Sequence, residues 1–175
     1  MFTSFSSHWK GPWFKRGLWT VLALVTAALV FTGCPQPTDS DSVSVPENLK
    51  GEWVSDSESK EVYRITAEEF ISLWDGAEGY KGNIVNIISD GENAGYIIIK
   101  YTKAYNPDAV GNYYAIHYKD LKTATVNICG AGKNDDPDGA YGGNGKATRA
   151  EAESTYTVDN GYFGGYSACT KKTTN

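Results

Sequence analysis

The chain has 175 residues, 41% of them hydrophobic and 21% charged, proportions that fit a folded protein and exclude wholesale disorder. Residues 1–33 hold three basic side chains and no acidic one; without them 142 residues remain, one domain's worth, with a net charge of −8. An acidic domain matches a phosphate backbone poorly, which excludes nucleic acid as an expected partner.

The first element is an address. Lys10, Lys15 and Arg16 precede a mostly apolar run from Leu18 to Phe31. At about 14 residues that run is short for a transmembrane helix, which needs around 20. It ends in Phe31-Thr32-Gly33-Cys34, and these residues resemble the lipobox of bacterial lipoproteins. The resemblance implies cleavage before Cys34, a diacylglyceryl group on its thiol and a further acyl chain, such as palmitate, on its amine. It also implies a membrane as partner, held through those chains; two or three of them anchor stably at about 0.8 kcal/mol per buried methylene. The flavour of the sequence is similar to spirochaetal lipoproteins, which implies the outer membrane or cell surface rather than the inner membrane. The alternative is a secreted protein whose first cysteine is incidental. The residues after Cys34 argue against that: 35–46 are three prolines among Ser, Asp and Thr, an extended tether of up to roughly 40 Å. The expected organisation is a signal peptide over 1–33, a lipidated cysteine and disordered tether over 34–48, and a folded domain over 49–175.

From Leu49 the apolar pattern alternates with period two, punctuated by turn residues. Strands are expected at Gly51 to Val54, Glu61 to Thr66, Asn83 to Ser89, Tyr96 to Lys103, Asn112 to Lys119 and Ala124 to Gly130. Glu69 to Trp74 fits neither the strand nor the helix period. Ile97, Ile99 and Tyr101 share one face of their strand, as do Tyr114, Ile116 and Tyr118 of theirs; Tyr113, His117 and Lys119 take the opposite face. Lys133 to Lys146, with four glycines and three aspartates, is a loop. Thr148 and Glu151 have capping-box spacing, predicting one short helix to about Thr155. A last strand is expected near Tyr162 to Lys171. Hairpin after hairpin favours an up-and-down meander, and closure removes its edges. The fold class is therefore all-β with one short helix, a single up-and-down barrel of about eight strands.

Leu49-Lys50-Gly51-Glu52-Trp53 resembles the Gly-x-Trp first-strand opening of lipocalin-like (calycin) barrels, and the run from Asn112 to Gly132 is similar to small bacterial lipoproteins of uncharacterised function. In lipocalins the tryptophan packs at the closed barrel end against an arginine of the last strand. Arg64 and Arg149 are the arginines after the tether and neither is on that strand, so Lys171 or Lys172 is expected in the role.

Chemistry is sparse. His117 is the single histidine after Cys34, and its strand parity puts it on the more polar face, where a solvated role is expected over a catalytic one. No Gly-x-Ser-x-Gly elbow occurs and no His/Cys cluster has metal-ligand spacing. The expectation is a protein that is not an enzyme and has no cofactor. Asn134, Asp136 and Asp138 have the spacing of a calcium loop, but Gly145 stands where an EF-hand needs a bidentate Glu, so metal is a weak candidate beside a plain solvated loop. Cys129 and Cys169 form an even pair in an exported domain, which points to a disulfide; two buried free thiols are the alternative. The twelve tyrosines allow three arrangements. They form packed core, or line a barrel cavity with Trp53, Tyr101, Tyr114 and Tyr118 at the wall, or stand outside (Tyr96, Tyr113, Tyr141) as anchors for a protein. The expected function is a lipid-anchored binding module for an unknown protein partner, with a carrier of a small apolar ligand as the alternative and an enzyme third.

Overall fold

The computed structural model describes residues 43–133 and 143–173. Eight antiparallel strands close into one barrel in chain order: β1 (Gly51–Ser55), β2 (Glu61–Ile65), β3 (Glu69–Trp74), β4 (Ala77–Ser89), β5 (Gly95–Lys103), β6 (Tyr113–Lys119), β7 (Thr125–Gly130) and β8 (Ser167–Lys171). β1 pairs with both β2 and β8, so the hydrogen-bonded ladder has no open edge. The up-and-down barrel with one short helix is thus the observed architecture. The helix, α1 (Arg149–Thr155), carries the expected capping box: the Glu151 amide donates to Thr148 Oγ1, and the Thr148 amide donates to Glu151 Oε2.

Three elements differ from their sequence outline for local reasons. β3 is a strand whose pattern is blurred because outward-facing Ile71 is also buried and the register shifts between Ser72 and Leu73. β4 starts six residues before Asn83; bulges at Lys81/Gly82 and Ile84/Asn86, with Gly79 and Gly82 lacking side chains, hide its alternation. β8 starts only at Ser167, because the residues just before it run across the outer wall instead of joining the sheet.

Strand parity sets the interior. Trp53, Tyr63, Ile65, Phe70, Ile97, Ile99, Tyr114, Ile116 and Ile128 lie on the inner face through successive cross-strand pairs and are buried. One end of the barrel is closed. The segment before β1 turns back through a Leu49 amide to Pro46 carbonyl bond, burying Val45 and Leu49 over the interior. Packing against the barrel therefore begins ahead of residue 49. Trp53 is fully buried here and donates Nε1–H to the Leu49 carbonyl at 2.8 Å. Lys171 of the last strand sits with Nζ 5.0 Å from the Trp53 ring centroid and donates to the Asn48 carbonyl at 3.2 Å. The lysine expected in place of an arginine is Lys171, a cation over an aromatic face.

Gly51 makes that closure possible. Its φ of 140° disfavours any side chain, and a Cβ there would lie 2.6 Å from Lys171 Cε. Gly51→Ala is expected to destabilise by about 1–3 kcal/mol. Urea unfolding checks this, and an unchanged midpoint would show that the turn relaxes freely.

The outer wall has a second layer. Helix α1 packs across β5 and β6, and outward-facing Ile98 and Ala115 are fully buried. The chain after α1 continues over the same wall as a strap, where Tyr156, Tyr162 and Phe163 are buried. Cys129 lies under this cover.

The expected disulfide is not formed: Cys129 and Cys169 are both free and buried. Cys169 pairs with Val126 and so shares the inner face with Val126 and Ile128, whereas Cys129 pairs with His117 on the outer face. The sheet itself and three residues of register lie between them, beyond the reach of a bridge. Each thiol donates locally instead, Cys129 to the Gly130 carbonyl and Cys169 to the Ser167 carbonyl. Burial pushes both thiols up, that of Cys169 to about 12, so neither supplies thiolate at neutral pH.

Candidate functional site

The end of the barrel opposite Trp53 is open and leads into a cavity of about 480 Å³. Seven of its lining residues come from six strands: Glu61 and Tyr63 (β2), Ser72 (β3), Tyr80 (β4), Tyr114 (β6), Gly130 (β7) and Ser167 (β8). Tyr105 and Gly165 complete it from loops. The lower half of the barrel is filled by Trp53, Ile65, Phe70, Ile97, Ile99, Ile116 and Ile128, so the interior is half core and half cavity.

Absent side chains open the space. A Cβ on Gly130 would come within 2.8 Å of the Tyr114 hydroxyl and 3.2 Å of the Tyr80 hydroxyl. A Cβ on Gly79 would collide with the Tyr105 hydroxyl, so that ring lies over a bare stretch of β4. Tyr80 meets Tyr105 and Tyr114 edge-on, with ring centroids 5.9 and 5.7 Å apart.

The polar centre is the Glu61 carboxylate. Tyr63 donates its hydroxyl to Oε1 at 2.6 Å, and Ser167 donates Oγ–H to Oε2 at 2.7 Å. Burial, with the neighbouring Glu61 charge, pushes the Tyr63 phenol far above its ordinary range; burial does the same for Tyr80. Both stay neutral O–H donors at any physiological pH. Among the described residues the lining holds one acidic side chain and no basic one. Two serines and four phenols make it richer in hydroxyls than an apolar pocket.

Of the four residues expected at a cavity wall, Tyr114 lines it. Tyr101 stands behind, stacked on Tyr114 at 5.3 Å between centroids, its buried hydroxyl without a hydrogen-bond partner among the described residues. Trp53 belongs to the closed end, and Tyr118 packs beside Gly95, where a Cβ would meet its hydroxyl at 2.7 Å. The residues expected outside do not form an open patch: Tyr113 is buried and Tyr96 is half-buried beneath Phe163. Cys34, Tyr141 and the calcium candidates Asn134, Asp136 and Asp138 lie outside the described residues. Glu61 was legible in principle, since it shares period-two parity with Tyr63 and Ile65. Tyr105, in a loop, had no such signal.

His117 is not a solvated surface residue; it is 3% exposed on the outer wall. Its Nε2 lies 3.0 Å from Asp90 Oδ2 and its Nδ1 2.8 Å from the Tyr166 hydroxyl. A carboxylate only accepts, so the fitting neutral tautomer donates from Nε2 to Asp90 and accepts from Tyr166 at Nδ1. The ring also packs on Tyr96 and Phe163, and Lys119 Nζ sits 3.8 Å from the Tyr166 ring centroid. This cluster fastens the strap to β6. Burial lowers the His117 pKa, outweighing the opposing pull of Asp90. The unfolded chain then binds a proton at its ordinary value of 6.5, where the native ring stays neutral. Stability is expected to be full above that value and to fall as pH drops below it. Denaturant midpoints measured from about pH 7.5 to 5.5 should show this slope, and His117→Gln should flatten it. Equal slopes in the two proteins would remove His117 from the account.

No family model, no curated protein and no solved structure matches the chain.

Proposed function

We propose that the chain is a lipid-anchored, exported binding module that takes a small ligand in the open mouth of its barrel. The observation that carries this is the cavity of about 480 Å³, within the roughly 300–1,000 Å³ usual for ligand sites. A filled interior would have favoured a purely surface-acting protein. The hydroxyl-rich lining favours a ligand with polar groups over the simple apolar one expected from sequence. Anchoring rests on the signal-like residues 1–33, Cys34 and the proline-rich tether. The described chain enters beside Trp53, so a tether attached there leaves the mouth at the far end of the barrel. An outer-membrane or cell-surface location remains part of the same proposal.

A second reading, a protein partner at the mouth, is favoured by one observation. Trp74, at the end of β3, and Tyr105 are 51% and 60% exposed, large aromatics of the kind that anchor interfaces.

Native mass spectrometry of residues 35–175, beside the same sample denatured, separates the two. A discrete extra mass lost on denaturation, or gained after exposure to lipid and small-molecule extracts, supports the ligand site. A bare mass throughout would move the protein-partner reading ahead.

A further inference from the structure

We infer that the mouth cavity is built for an organic cation, a small molecule bearing an ammonium group beside a ring or short apolar body. The inference rests on the mouth being a ligand site and names the class of ligand.

Glu61 carries it. The carboxylate is fixed from two sides by Tyr63 and Ser167, residues 104 positions apart in the chain, so its place is set by the closed barrel and not by local flexibility. Among the described residues it has no ion-pair partner. The lysines at this end of the barrel are engaged elsewhere: Lys60 pairs with Asp75, and Lys81 and Lys103 pair with Glu78. Two donors leave further lone pairs of the carboxylate free to accept. A negative charge in a half-enclosed cavity attracts a cation more strongly than it would in water and repels an anion equally. A neutral apolar ligand would strip water from Glu61 and return nothing. Around that charge stand the rings of Tyr63, Tyr80, Tyr105 and Tyr114. Aromatic faces attract ammonium groups through their quadrupole, and such cages are a recurrent way of holding them. Burial keeps Tyr63 and Tyr80 neutral: the Tyr63 hydroxyl holds Glu61, and that of Tyr80 stays a donor for an oxygen or nitrogen the ligand carries.

The test uses the full chain in lipid nanodiscs and three probes of one shape: 2-phenylethylamine, 2-phenylethanol and 3-phenylpropanoate, titrated by calorimetry at pH 7. The amine should bind at least about tenfold more tightly than the alcohol, and the carboxylate should give no binding heat. Glu61→Gln should bring the amine down to about the alcohol's level. If that variant unfolds, Tyr105→Ala serves in its place; its ring is 60% exposed, and its loss should weaken the amine about threefold while the fold persists. Equal affinity for amine and alcohol, or an unchanged amine affinity in folded Glu61→Gln, overturns the cation and leaves the ligand site standing. Binding of none of the three overturns the cation as well, and the extract experiment then decides the ligand site separately.

Discussion

Trp53→Ala should cost about 3–5 kcal/mol of unfolding free energy, much of what a domain of this size has. The side chain is wholly buried at the closed end, with Leu49 and Val45 buried beside it. Three losses coincide. The apolar contact surface of the largest interior ring disappears, the Leu49 carbonyl loses its donor at 2.8 Å, and Lys171 loses the ring 5.0 Å from its ammonium. Trp53→Phe keeps most of the volume and gives up the indole N–H, so it should lose only about 1–2 kcal/mol. Urea unfolding of both variants checks the pair. Losses below about 1 kcal/mol for the alanine variant would mean that the end is not sealed by this residue. The mouth cavity lies at the opposite end, so ligand affinity should change far less than stability.

The second large effect is expected where a simple barrel would show almost none. Ile98 points outward by register, opposite Asn86 and Ala115, yet it is fully buried. Ile98→Ala should therefore lose about 2–5 kcal/mol, as for an interior isoleucine. Val54, outward on β1 and paired with Val62, is only partly buried and is the matched control. Its change to Ala should stay within about 1 kcal/mol. Similar small losses at both positions would show that α1 and the strap are loosely laid on the wall. A large loss at Ile98 makes that cover a second core, and it explains why α1 is tied down by Asn86, whose side-chain amide donates to Glu153 at 2.8 Å.

The same outer layer accounts for the main departures from the sequence reading. Alternation puts His117 and Tyr96 on the outer face correctly, but it says which side a residue takes and not what covers that side. The cover comes from residues 149–166, about twenty to seventy positions away in sequence, and their placement depends on packing that no local pattern records. The thiols show the same limit. Spacing and compartment argue for a bridge, whereas the register of β7 against β8 places the two on opposite faces.

Local structure is written in the residues themselves: strands in period two, the helix in Thr148 and Glu151, and the closed end in Gly51, Trp53 and a basic residue of the last strand. The strands and the helix rest on neighbours within a few residues and Gly51 on a backbone angle that only glycine takes readily, whereas Lys171 reaches Trp53 only through the pairing of β8 with β1. The cavity is different in kind. Glu61, Tyr63 and Ser167 come together only when β8 returns beside β1, and the half-filled interior reflects where Gly79 and Gly130 withhold side chains that neighbouring rings would otherwise meet. Closing the barrel sets those distances, because cross-strand register, not position along the chain, decides which side chains share the space inside.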